Sequence, residues 1–139
     1  MRKRLENNLQ ADCVKWFNNN YCLTIHNPRC FIFSVQNEMA SQISGALKQV
    51  LPKSVWSIID KTCKIILGKA VTFGFRKGVS DLVVVLPNKT LYVELKTETG
   101  KQREEQEKFE NIVKNLGHEY HLVRDLETFK NIIYANINI

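Results

Sequence analysis

The stretch from residue 78 to residue 96, Gly-Val-Ser-Asp-Leu-Val-Val-Val-Leu-Pro-Asn-Lys-Thr-Leu-Tyr-Val-Glu-Leu-Lys, constrains this chain more than any other. Two runs rich in β-branched and apolar residues flank Pro87-Asn88-Lys89, whose residue types favour a turn. The spacing predicts a hairpin. Two strands this apolar cannot stand alone in water, so the chain must supply further strands and covering helices. Three charges, Asp81, Glu94 and Lys96, interrupt the apolar pattern and need partners.

Strand side chains alternate between faces. Glu94 and Lys96 therefore share one face, and Leu91, Val93 and Leu95 take the other. On the preceding strand Asp81, Val83 and Val85 lie together. If Leu86 pairs with Leu91, Asp81 falls opposite Lys96 and Val83 opposite Glu94. All three charges then point the same way, with Asp81 and Glu94 diagonal neighbours about 7–8 Å apart at the backbone. A slip of one residue turns Asp81 to the other face, so the arrangement requires a turn of even parity. Two converging carboxylates offer hard oxygen ligands to Mg²⁺ or Mn²⁺, and the Leu95 backbone carbonyl can add a third. Such an ion polarises a phosphodiester and makes nearby water more acidic, while a lysine stabilises charge on phosphate. The same spacing also fits an Asp81–Lys96 cross-strand ion pair with Glu94 in solvent.

Periodicity supplies the rest of the architecture. Leu5, Leu9, Cys13, Trp16 and Phe17 predict a helix over 3–19, ended by Asn18-Asn19-Asn20. Residues 30–35 read as a strand. A helix over 38–51 would bury Met39, Ile43, Ala46, Leu47 and Val50. Another would begin at Pro52, bury Trp56, Ile59, Cys63 and Ile66, and stop at Gly68. After the hairpin, residues 102–116 predict a helix with Phe109, Ile112, Val113 and Leu116 inward. Residues 118–124 predict a strand, and Asp125 an N-cap for a last helix carrying Leu126, Phe129, Ile132 and Ile133. The expected fold class is α/β (α+β), one domain over 1–139 with a small mixed sheet flanked by helices.

Charge narrows the partner. Twenty Lys and Arg against fourteen Asp and Glu leave a net +6, which suits a polyanion, nucleic acid first. Arg2-Lys3-Arg4 and Arg76-Lys77 are basic clusters that a solvated surface would also accommodate. No apolar run reaches membrane-spanning length. The charged start Met-Arg-Lys-Arg-Leu-Glu, with no long apolar run after it, leads us to expect no cleaved secretory signal. Cys13, Cys22, Cys30 and Cys63 form no Cys-x-x-Cys pair and read as small buried hydrophobes in a reducing compartment. His26, His118 and His121 lack metal-ligand spacing, and the last two read as strand residues.

Gly78-Val-Ser-Asp81, Glu94-Leu-Lys96, Gly100, Gln106 and Val123-Arg124 follow one another in an order that resembles the virus-type replication-repair nuclease (VRR-NUC) domain of the PD-(D/E)xK superfamily. Upstream, Glu6 and Gln10, then Asn37-Glu38, are similar to that family's earlier motifs. The likeness spans nearly the whole chain. It departs at Ser80, where the family has proline, and at Arg103, where a serine often caps the helix; Thr99 with Gln102 would form a substitute capping box. Residues 40–75 exceed the minimal core and read as a helical insertion or dimerisation element.

The resemblance implies a restriction-endonuclease-like core and a metal-dependent endodeoxyribonuclease. Asp81, Glu94 and the Leu95 carbonyl would ligate Mg²⁺ or Mn²⁺, Lys96 would assist the nucleophile, and Glu6 would reach the site from the first helix, through water or a second metal. Gln106 would sit beside Lys96, since it lies one turn before Phe109 on an otherwise apolar stripe. Glu38 fits a site or an acidic first turn equally. Arg76, Lys77, Lys101 and Arg103 would contact DNA phosphates, and Arg124 would instead serve the core. With no base-reading motif, the expected substrate is branched DNA, cut as a Holliday junction resolvase cuts it, by a homodimer. A sequence-preferring nicking or restriction-type nuclease and a non-catalytic basic DNA-binding module are the alternatives. The short form suggests a phage or prophage protein acting in the bacterial cytoplasm.

Overall fold

The structure, a computed structural model, describes residues 2–22, 30–35 and 39–137. In chain order its elements are α1 (Arg2–Tyr21), β1 (Phe31–Ser34), α2 (Met39–Leu47), α3 (Lys53–Thr72), β2 (Leu82–Val85), β3 (Thr90–Leu95), α4 (Glu104–Asn115), β4 (Glu119–Val123) and α5 (Leu126–Asn136). Asn37, Glu38 and His26 lie outside the described residues.

The chain divides into two compact units, residues 1–35 with 78–139, and residues 36–77. The first unit holds an open sheet in the order β1-β2-β3-β4. β1, β2 and β3 are antiparallel in succession, and β4 joins β3 in parallel. A parallel neighbour cannot be reached by a tight turn, and α4 supplies the crossover between β3 and β4. The expected mixed sheet with flanking helices is what the chain forms.

The apolar alternation sorts into two faces. Leu82, Val84, Leu91, Val93 and Leu95, with Ile32 and Val123, bury one face against Cys13 and Phe17 of α1 and Phe129 and Ile133 of α5. Trp16 closes the helix layer edge-on against Phe129 and Tyr134. On the other face, Phe109 of α4 meets Tyr92 and Tyr120, with ring centroids 5.5 Å and 6.3 Å away. α5 begins as its N-cap predicts, with Asp125 accepting a 2.7 Å bond from the Thr128 amide. Gly117, at φ +80°, ends α4 and turns the chain into β4.

Several sequence expectations shift. The hairpin keeps the expected parity but pairs two residues further along, Val85 with Thr90 and Leu82 with Val93. The Leu86 amide donates to the Lys89 carbonyl across a tight turn, so pairing starts at Val85 rather than Leu86. Extended by one residue, this register sets Asp81 opposite Glu94 instead of Lys96. Leu5 and Ile112 are exposed at the flanks of their helices' apolar stripes, and Leu116 is exposed because it is the C-cap, past the last turn of α4.

The second unit is the helical pair α2–α3. Trp56 donates its indole N–H to the Ser44 carbonyl at 3.0 Å, and the Ser44 hydroxyl donates to Asp60 at 2.8 Å. Pro52 stands as the N-cap rather than in the first turn, and the helix runs through Gly68 to Thr72. A glycine ends a helix only where the backbone turns left-handed, and here that residue is Gly74, at φ +98°. Ile43, Val50 and Ile66, expected inward, are exposed, and α3 contains no buried residue.

Candidate active site

Asp81 sits one residue before β2. Its main-chain carbonyl accepts a bond from the Val35 amide at 3.1 Å, and its Oδ2 accepts from the Leu95 amide at 2.8 Å. The second bond ties the carboxylate to the strand that carries the other charges. In extended backbone the N–H and C=O of one residue project to the same side. The Leu95 carbonyl therefore faces the Asp81 side, whereas the Lys96 amide turns the other way and donates to Val123 at 2.9 Å.

Glu94 is wholly buried and Lys96 is 7% exposed. The Lys96 ammonium donates to Glu94 Oε1 at 2.5 Å, and the Gln106 side-chain N–H donates to the same oxygen. Glu94 Oε2 has no hydrogen-bond partner among the described residues. Burial pushes the Glu94 carboxyl up to about 7, and the neighbouring Asp81 charge adds to that rise. Lys96 opposes the shift without cancelling it, and Glu6 contributes a smaller increase. An ionisable side chain with one oxygen doubly bonded and the other bare, in the dry interior, costs free energy unless something binds there.

Glu6 faces the sheet from α1, where its Oε1 accepts from the Thr97 amide at 3.4 Å. The Thr97 hydroxyl, also buried, finds no partner among the described residues. Sequence reasoning passed over Thr97; its place directly after the Glu-x-Lys strand is the signal that could have marked it. Arg124 braces this corner by donating to the carbonyls of Thr97 and Glu98, the latter at 3.0 Å. It thus holds the loop after β3.

Gln106 explains its own presence on an apolar stripe. Its side-chain oxygen accepts from the Arg103 amide at 2.9 Å, closing one half of a capping box, while its nitrogen reaches Glu94. The expected Thr99–Gln102 capping box is not formed. Gln102 instead donates to Glu110 at 2.7 Å and to the Tyr120 hydroxyl at 3.4 Å, and the helix begins at Glu104. Gly78 makes this closeness possible. It has φ +80°, and a Cβ there would stand 2.3 Å from the Glu105 carbonyl oxygen. Only glycine lets the chain before Asp81 pass the first turn of α4.

The structure thus brings Asp81, Glu94, Lys96 and Gln106 together and sets Glu6 at their edge. Lys101 and Arg103 are exposed near the start of α4. Arg76 and Lys77 are exposed at the end of the helical unit. Among the described residues no three His, Cys, Asp or Glu side chains form a metal cluster. The donor set that fits a hard divalent cation is smaller: Asp81, the bare Glu94 Oε2 and the Leu95 carbonyl. The orphaned buried oxygen is the observation that favours such an ion.

No family model, curated protein or solved structure matches the chain.

Proposed function

We propose that this protein is a metal-dependent DNA endonuclease of the VRR-NUC kind, hydrolysing phosphodiester bonds in branched DNA. The observation that carries the reading is Glu94, buried without exposure, doubly hydrogen-bonded at Oε1 and bare at Oε2, across the register from Asp81. A purely structural ion pair would satisfy both oxygens or leave them to solvent.

Asp81, Glu94 Oε2 and the Leu95 carbonyl would hold Mg²⁺ or Mn²⁺. Bound there, the ion supplies Lewis-acid polarisation of phosphate and a more acidic water. The remaining work belongs to the chain. Gln106 and Lys96 fix the Glu94 carboxylate so that Oε2 is its free acceptor. The Leu95 amide holds Asp81 in one orientation. Lys96, at the edge of the buried cluster, orients the attacking water and offsets charge on phosphate as one P–O bond forms and the other breaks. Glu6 and Thr97 offer further polar groups for an ordered water. Net charge +6 favours a polyanionic substrate. Two copies related by a two-fold axis would present two such sites to two strands.

Labelled four-way junctions, flaps and linear duplex, each with and without Mg²⁺ or Mn²⁺, test the proposal. Junction cleavage should need the metal and disappear in Asp81→Asn and in Lys96→Ala. Cutting that persists in either variant, or without metal, removes the mechanism. Equal cutting of all three substrates removes the preference for branched DNA, and binding without cutting under any metal leaves a DNA-binding module. A strictly monomeric mass in solution removes the dimer.

A further inference from the structure

β1 shows the solvent two aromatic rings. Phe31 is 54% exposed and Phe33 41%, and their centroids lie 5.8 Å apart at an interplanar angle of 33°. Both belong to the sheet face that carries the candidate site. Phe33 pairs with Val83 and Phe31 with Val85, which is itself 38% exposed, and the same register extended sets Val35 beside Asp81. Phe33 is therefore the diagonal neighbour of Asp81, about 7–8 Å away at the backbone. Phe31 lies two residues farther, about 14 Å from Asp81 at ~3.4 Å per residue. Helix α4 packs on the β3–β4 half of this face, through Phe109 and Gln106, and the phenylalanines occupy the β1–β2 half.

An edge strand is ordinarily blunted with charge or proline. Here its outer positions on this face carry large flat apolar rings left about half exposed. Strand propensity alone would be met by valine or threonine. Successive rings leading away from the proposed phosphate site match what unpaired bases require, since every base has a face that stacks on an aromatic ring.

Resting on the nuclease reading above, we propose that Phe31 and Phe33 form a stacking platform for unpaired bases of a DNA strand whose backbone enters the Asp81–Glu94 site. The substrate class is then DNA with single-stranded nucleotides beside the cut, and the platform lets the protein recognise an opened junction or flap without reading sequence. Net positive charge draws in the backbone, and the rings hold the bases.

Binding is measured in EDTA on the Asp81→Asn background, so that cleavage plays no part, with a fluorescein-labelled oligothymidylate and a blunt duplex as probes. Replacing both rings by leucine keeps the surface apolar and removes stacking. Single-strand affinity should fall by about 5- to 100-fold per ring, while duplex affinity stays level. Phe33→Trp should bind the single strand at least as tightly as the parent. Unchanged single-strand binding in Phe31→Leu/Phe33→Leu overturns the platform, as does a parent that binds duplex more tightly than oligothymidylate. A leucine pair that lowers the mass of the free protein in solution also overturns it, because the face would then join two copies. Failure of the nuclease reading shows separately, as absent cutting by the parent sequence while ring-dependent binding persists.

Discussion

Replacing Glu94 by glutamine should flatten the pH dependence of stability in metal-free protein. In an unfolded chain this carboxyl titrates near its ordinary value of 4.5, and in the folded protein burial and Asp81 carry it to about 7. Between those values the native state keeps a proton that the unfolded state has released. Unfolding then releases a proton, so stability falls as pH rises through the window. The contribution is fully present below about pH 4.5 and lost above about pH 7. A shift of roughly 2.5 pH units corresponds to about 3 kcal/mol. Glutamine has the same shape and no charge, so it cannot lose this amount. Its own cost comes from rearranged bonds to Lys96 and Gln106. Urea titrations of both proteins in EDTA from pH 5 to 9 read the difference. The gap in unfolding free energy should move by up to ~3 kcal/mol in favour of Glu94→Gln across that range, or about 10 °C in Tm. Parallel profiles would mean that Glu94 is not ionised at cost in the folded state, and the case for an oxygen awaiting a cation would fall with it.

Three further outcomes follow from the geometry. Millimolar Mg²⁺ should raise the Tm of the parent, by more at pH 8 than at pH 6 because the Glu94 proton must leave first, and should not raise that of Glu94→Gln; differential scanning fluorimetry reads this. Gly78→Ala should cost at least ~2 kcal/mol in urea, since φ +80° strains alanine and its Cβ meets the Glu105 backbone; the resulting shift of α4 should also weaken the Gln106–Glu94 bond, seen in the Gln106 side-chain amide resonance. Asp125→Ala should cost ~1 kcal/mol of stability by uncapping α5 and leave cleavage unchanged, because the cap lies on the helix layer of the opposite sheet face.

Periodicity reached far in this chain because the apolar stripes are strong. Every predicted element forms, and Asp125 and Gly117 act where their residue types suggest. Leu5 and Ile112 belong to apolar stripes, but how wide a stripe the sheet covers is set by packing between elements, and Leu116 falls past the end of α4. The Gly68 stop failed because a glycine is tolerated within a helix at modest cost, whereas a stop needs a left-handed residue, supplied later by Gly74. In the helical unit, Ile43, Val50 and Ile66 follow helical spacing and still face solvent, since two helices bury only one shared seam.

For the candidate site, sequence alone determined the residue types, their order and the shared sheet face of Glu94 and Lys96, because strand alternation is a local property with a period of two. The register across the turn puts Asp81 on that face, and it is a tertiary outcome. Tertiary structure decided which residues stand opposite one another: the turn closes between Leu86 and Lys89, and Asp81 meets Glu94 rather than Lys96. It also decided what no spacing contains. Helix α4 brings Gln106 onto Glu94 Oε1, Gly78 lets that helix come close, and Glu94 is left buried with Oε2 bare. Burial and the partners of a charge depend on residues distant in the chain, and those two quantities turn an acidic strand residue into one raised to about 7 with one oxygen left without a partner among the described residues.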